Sequence, residues 1–151
     1  MDKPTNQVFD KEYFLKEIDL IQNIINRMAN NSFLIKGWTI TLVVVSMLLS
    51  INPLHKLFSL IPLVAFWYLD AYFLQLERQY RELYNWVINN RAKTNEYQFD
   101  LNSRRFASNI ESIPGVMLSV TLKWFYGVIL ILILLFNSDV IIIILSSLLH
   151  K

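Results

Sequence analysis

The sequence predicts an all-α membrane protein built on a helical hairpin. Hydrophobic residues make up 54% and aromatic residues 14% of the 151 residues, which is more apolar material than the core of one soluble domain of this size needs. Long apolar stretches alternate with polar ones, and the chain has only 3 glycines and 4 prolines. The absence of cysteine excludes disulfides and thiolate metal sites. A net charge of +2 gives no footprint for direct nucleic-acid binding.

The first predicted element is a cytoplasmic helix that continues into a membrane span, over residues 8–51. Residues 33–51 are apolar except for Lys36, and as a helix they cover most of the roughly 30 Å of a hydrocarbon core. Residues 1–32 contain no apolar block, so we expect no secretory leader to be removed. A helical stripe runs through the polar part at spacings of three and four residues: Phe14, Ile18, Ile21, Ile25 and Met28.

The second predicted element covers residues 57–90, and here the membrane span comes first and the cytoplasmic helix follows it. Residues 57–76 are apolar except for Asp70, which indicates a second span. A stripe at helical spacing continues past the span and predicts a cytoplasmic extension: Leu69, Phe73, Leu76, Tyr80, Leu83 and Val87. The turn residues 52–56, with Pro53 at the centre, join the two helices.

Such a hairpin has a defined register. With Pro53 at the turn, residues that face each other have numbers that add up to about 106. This places Lys36 beside Asp70, and we predict that they pair, because a lone charge in a bilayer costs about 2.5 to 3.5 kcal/mol. Arg27 and Glu77 form a second, weaker candidate pair at the membrane surface.

The C-terminal half is predicted to hold a loop, a third span and a short apolar segment. Residues 91–112 should form an ordered cytoplasmic loop with at most one small helix or strand, the strand alternative being YQFDL at 97–101. Residues 113–136 should form the third span, with Lys123 as its lone charge. Residues 140–150 are short for a fourth span, and three forms stay open: a re-entrant or short helix, an outer-leaflet anchor, or the tail of the third helix.

The polar stretch between the second and third spans carries most of the basic residues that flank the membrane segments: Arg78, Arg81, Arg91, Lys93, Arg104 and Arg105. The hairpin turn carries only Lys56. Because positive charge favours the cytoplasmic side, we expect the loop and the N-terminus to be cytoplasmic.

Three charged residues at similar depth form the first candidate site: Lys36, Asp70 and Lys123. They could line a gate or an ion path, although simple anchoring or helix pairing accounts for them too. Asp70 and Glu77 are seven residues apart on one helix, but no third catalytic group converges on them, so no catalytic residue is predicted. His55 and His150 lack metal-ligand spacing, and no motif for a cofactor is present.

The second candidate site is a cytoplasmic surface for a protein partner or a nucleotide signal. Arg104 and Arg105 could bind a phosphate, although the ordinary positive-inside bias predicts the same pair beside a span. The whole candidate surface comprises Arg27, Glu77, Arg78, Arg81, Arg104 and Arg105.

Two segments carry a resemblance to a known group. RMANNSFLIKGWTITLVVV at 27–45 and FWYLDAYFLQLERQYRELY at 66–84 resemble, in their layout, the SMODS- and SLOG-associated two-transmembrane effectors of antiphage defence. The resemblance implies a homo-oligomer in the bacterial inner membrane that depolarises the membrane when a partner or a nucleotide signal triggers it. A structural adaptor that anchors a soluble enzyme through its cytoplasmic helices is the alternative, and an enzyme acting on lipid is a third reading.

Overall fold

The computed structural model describes residues 11–49 and 57–138. Every regular element in these ranges is helical, as predicted. The predicted turn at 52–56 and the short apolar segment at 140–150 lie outside the described residues, as do residues 8–10. The structure therefore bears on the two long helices, the loop and the third predicted span.

Two long helices dominate the molecule. Helix α1 spans Lys11–Leu49, 39 residues without interruption, which corresponds to about 58 Å. Helix α2 spans Leu60–Asn90, 31 residues, and follows a single 3-10 turn at 57–59. Pro62 is tolerated because it lies in the first turn of α2, where a backbone N–H has no partner within the helix. The two predicted helices are confirmed.

Helices α1 and α2 pack antiparallel along their whole described length. Near one end Glu17 pairs with Arg91, in the middle Gln22 Nε2 donates to Tyr84 Oη at 3.2 Å, and further along Lys36 contacts Asp70. These partners follow the predicted register to within two residues. We call the polar part of the pair, residues 11–32 with 74–91, the stalk, and residues 33–49 with 57–73 the apolar section.

Each part of the hairpin has its own core. In the stalk, Ile21, Leu83 and Val87 are buried together, and Leu101 and Phe106 from the following loop pack against them. The apolar section contributes Val43, Leu63 and Ala71 to a second core, where it meets the third predicted span through Val116, Leu122, Tyr126 and Ile133. The C-terminal half therefore covers one side of the hairpin in both parts.

The loop after α2 holds one short 3-10 helix, Ser103–Asn109. Asn102 precedes it, and its Oδ1 accepts the Arg104 N–H at 3.2 Å, which caps the helix. No strand forms at residues 97–101, since Tyr97 and Phe99 have φ values of 56° and 58°. Two left-handed residues two positions apart turn the backbone away from an extended path.

The third predicted span is divided into two helices, so a single helix over residues 113–136 is not confirmed. Helix α3 covers only Ile113–Met117, and helix α4 begins anew at Val120 and ends at Phe136. Trp67 of α2 supplies part of the reason, because its Nε1 donates to the Met117 carbonyl at 3.0 Å. That side chain satisfies a carbonyl that a continuous helix would use for its own hydrogen bond.

Replacing Trp67 with phenylalanine is expected to lower the free energy of unfolding by about 1 kcal/mol, since one partly buried hydrogen bond is lost. Thermal unfolding in detergent, followed by circular dichroism, measures the change. Trp38→Phe is the matched control, because Trp38 is 58% exposed. Equal melting temperatures for the two variants would contradict this account of the break.

Candidate functional site

The most developed polar site lies where the stalk meets the apolar section, around Asp70. Asp70 of α2 is completely buried. Lys36 Nζ lies 2.7 Å from its Oδ2, so the contact predicted from the hairpin register is present. Ser32, one turn before Lys36 on α1, donates its hydroxyl to Asp70 Oδ1 and accepts a hydrogen bond from Lys36 Nζ at 2.9 Å.

Helix α4 completes this site through Tyr126. Its Oη donates to Asp70 Oδ2 at 3.0 Å and lies 3.2 Å from the Phe66 carbonyl oxygen. The Tyr126 ring is buried and stacks on Trp67, with ring centroids 5.5 Å apart and planes 7° from parallel. We call Ser32, Lys36, Asp70 and Tyr126 the Asp70 cluster.

The Asp70 cluster balances the charge that it buries. An isolated carboxylate in an apolar interior is strongly disfavoured, but Asp70 receives one ammonium and two hydroxyl donors. The Lys36 side chain retains 27% exposure, so its ammonium group reaches the edge of the cluster. The arrangement holds α1, α2 and α4 together at one level and leaves Asp70 no contact with solvent.

Within one copy of the chain, Lys123 is not part of this cluster, although Lys36 and Asp70 are. The buried face of α4 is formed by Leu122, Tyr126 and Ile133 at helical spacing. Lys123 follows Leu122 by one residue, about 100° around the helix, and is exposed. It forms no ion pair with any residue in the described ranges.

A second buried ion pair lies in the stalk. Arg91 forms a bidentate contact with Glu17, at 2.7 Å from Nε to Oε2 and 2.6 Å from Nη2 to Oε1. Their side chains are only 2% and 1% exposed. Glu17 Oε1 also accepts the Phe99 N–H at 3.1 Å, which joins α1 to the loop. We call Glu17 and Arg91 the stalk clamp.

Arg91 also organises the loop that follows α2. Its Nη1 donates to the carbonyls of Thr94 at 3.1 Å and Glu96 at 2.8 Å, and Nη2 donates to Tyr97 at 3.4 Å. Sequence reasoning missed both residues of the clamp. The hairpin register was the available signal, because it places Glu17 opposite a position close to Arg91.

The predicted cytoplasmic surface is divided among separate contacts. Glu77 pairs with Arg81 one turn away, at 2.7 Å from Oε1 to Nη2, and the predicted pair with Arg27 is wrong. The i,i+4 partner on the same helix lies within reach without any contribution from α1. Arg78 pairs instead with Glu111, at 2.9 Å from Nη1 to Oε2.

Arg104 and Arg105 point in different directions. Arg104 is exposed, whereas Arg105 packs into an aromatic cluster, with Cζ 4.0 Å from the centroid of Tyr97 and 5.4 Å from that of Trp86. Its Nε lies 3.9 Å from Asp100 Oδ2. The two arginines therefore do not act as one phosphate clamp, and Arg105 stabilises the loop through cation–π contacts.

The apolar stretches of the two long helices are mostly uncovered. Helix α1, Lys11–Leu49, and helix α2 together with its preceding 3-10 turn, Leu57–Asn90, are long and apolar enough to cross a membrane. In each of them, only 22% of the most apolar 18-residue window is buried. Phe33 is 73% exposed, Ile61 67% and Trp124 67%. Helix α4, at 17 residues, is a shorter apolar helix.

Within the described ranges, no three histidine or acidic side chains gather in a way that would hold a metal ion. Comparison of the chain with protein-family models, with curated proteins and with solved structures finds no match. The features of the described residues that bear on function are therefore the Asp70 cluster, the stalk and the exposed apolar surface.

Proposed function

We propose that the chain is an oligomeric inner-membrane effector that makes the membrane leak when its cytoplasmic stalk receives a signal. The observation that carries the proposal is the combination of uncovered apolar helices with a closed polar cluster at their stalk end. Apolar windows of 18 residues that are only 22% buried need lipid or neighbouring copies of the chain around them. The core helix of a soluble protein would be mostly covered.

The positive charges of the polar stretch between the second and third predicted spans favour a cytoplasmic position for the N-terminus and the stalk. In this orientation the Asp70 cluster lies near the cytoplasmic face, about one helical turn inside the apolar section. The resemblance to antiphage effectors implies phage infection as the trigger, with a protein partner or a nucleotide as the signal.

In the proposed mechanism α4 is the element that opens. Tyr126 is its polar link to the hairpin, and without that link Asp70, Ser32 and Lys36 would face the space left by α4. In an oligomer, several such groups would surround a common axis and offer ions a hydrated path. The stalk, joined to the same two helices, would transmit the signal to the cluster.

Removing the Tyr126 hydroxyl is expected to increase leakage without any trigger, because α4 loses its hydrogen bond to Asp70. The measurement is potassium flux from liposomes that contain the purified Tyr126→Phe chain. Tyr68→Phe is the matched control, since it removes a hydroxyl from a side chain that is 52% exposed. Asp70→Asn in the Tyr126→Phe background should lower the flux again.

Fluxes of the Tyr126→Phe chain equal to those of protein-free liposomes would overturn the proposal. They would favour the adaptor, in which the stalk anchors a soluble partner and no pore forms. A specific observation supports that alternative: Leu15 and Ile88 of the stalk are 49% and 44% exposed, outside the apolar section. Such side chains suit a protein contact.

The third alternative, an enzyme that acts on lipid, is not favoured by the contacts of Asp70 and Glu77. It requires Asp70 and Glu77 to act together, but each carboxylate has its own cationic partner, Lys36 in one case and Arg81 in the other. The two therefore serve separate structural contacts.

A further inference from the structure

The stalk contains a polar cleft that lies apart from the Asp70 cluster and the stalk clamp. The cleft opens between α1 and α2 and has a volume of about 490 Å³. Its lining residues are Gln22, Ile25, Asn26, Arg81, Tyr84 and Asn85. We call it the stalk cleft.

The stalk cleft lies on the side of the hairpin that the C-terminal half leaves uncovered. The 3-10 helix reaches α2 at Gln79, where Ser103 Oγ lies 3.5 Å from Gln79 Oε1. Arg81 follows Gln79 by two residues, about 200° around the helix. The cleft is therefore open to the cytoplasm in the proposed orientation.

Most of the cleft wall consists of groups that both donate and accept hydrogen bonds. Gln22 Nε2 donates to Tyr84 Oη at 3.2 Å, which leaves the phenol proton free to donate. The side-chain amides of Asn26 and Asn85 have no hydrogen-bond partner within the described part of the chain. A ligand with hydroxyl or amide groups would satisfy these side chains.

Arg81 gives one end of the cleft a positive group. Its Nε and Nη2 donate to Glu77 Oε1 at 2.9 and 2.7 Å, which leaves Nη1 free. The Arg81 side chain is 61% exposed, so a phosphate or carboxylate can reach Nη1. A helix from a protein partner would find few apolar side chains here, since Ile25 is the only aliphatic residue of the lining.

We propose that the stalk cleft binds a small anionic metabolite, with a phosphate or carboxylate against Arg81 and hydroxyl or amide groups against Gln22, Asn26 and Asn85. This site lies in the cytoplasmic stalk, about 16 Å along α2 from Asp70. It does not depend on the proposed leak, because binding in the stalk requires no pore.

The test uses the full chain in detergent and two probes, glucose 6-phosphate and adenosine 5′-monophosphate. Glucose and inorganic phosphate are the control ligands, because each contains one part of glucose 6-phosphate. We expect at least one probe to bind at least tenfold more tightly than inorganic phosphate, as measured by isothermal titration calorimetry. Binding to vesicles of anionic lipid is measured in parallel, to separate a free metabolite from a lipid headgroup.

Matched variants connect the binding to the stalk cleft. Asn26→Leu and Asn85→Leu should weaken the probe at least tenfold, whereas Asn23→Leu and Asn89→Leu, at exposed asparagines outside the lining, should not. Arg81→Gln should remove the preference for the phosphorylated probe over glucose. All five positions are exposed, and helical content by circular dichroism checks that each variant folds.

The proposal is overturned if neither probe binds more tightly than inorganic phosphate, or if the cleft variants and their controls bind alike. A loss of oligomers in Asn26→Leu and Asn85→Leu, without any change in probe binding, would also overturn it, because the face would then be a contact between copies of the chain. None of these outcomes bears on the flux from liposomes, so the leak and the binding site fail or succeed separately.

Discussion

Arg91→Met is expected to lower the free energy of unfolding by about 3 to 5 kcal/mol, the effect of removing one partner of a buried ion pair. The variant leaves the Glu17 carboxylate buried with only the Phe99 N–H as a donor. It also removes the donors to the carbonyls of Thr94, Glu96 and Tyr97. Chemical unfolding in detergent, followed by circular dichroism, measures the loss.

Arg104→Met is the control for Arg91→Met. Arg104 is exposed, and a surface substitution of this kind changes stability by about 0.5 kcal/mol or less. The double variant Glu17→Leu with Arg91→Met should recover part of the lost stability, because no unpaired charge is left buried. A loss in Arg91→Met no larger than that in Arg104→Met would show that the clamp does not stabilise the stalk.

The two partners of the Lys36–Asp70 ion pair are expected to respond unequally to mutation. Lys36→Met should lower the free energy of unfolding by about 3 kcal/mol, because it leaves a completely buried carboxylate without its cation. Asp70→Asn should have a smaller effect, about 1 kcal/mol. The 27% exposed Lys36 side chain can then extend toward water.

Thermal unfolding of both variants in the same detergent tests this asymmetry. Lys123→Met is the control, since Lys123 is exposed and outside the Asp70 cluster. Equal losses for Lys36→Met and Asp70→Asn would mean that the difference in burial between the two partners does not determine their contributions.

The hairpin could be predicted from the sequence because three signals agreed. Each of the two apolar stretches is continued by a stripe of apolar residues at helical spacing. With the turn at Pro53, the residues of the first helix face those of the second whose numbers complete a sum of about 106. That register places Lys36 beside Asp70, and the structure has this contact. Local periodicity and one turn position were sufficient, because antiparallel neighbours in a hairpin are determined by their distance from the turn.

The contacts of the C-terminal half could not be predicted in this way. Tyr126 is 56 residues from Asp70, and no turn of known length fixes its position relative to α2. At the division between α3 and α4, the Met117 carbonyl accepts a hydrogen bond from Trp67, a side chain of another helix. The apolar run at 113–136 contains no local sign of that interaction, so it was predicted as a single span.

The two buried ion pairs together limit how α1 and α2 can move. Glu17 and Lys36 lie about 28 Å apart along α1, and each is bound to α2. Sliding one helix past the other by a single turn, about 5.4 Å, would break both pairs at once and leave four charges without partners. The two pairs therefore oppose shear between these helices, and we expect α1 and α2 to move together as one rigid unit.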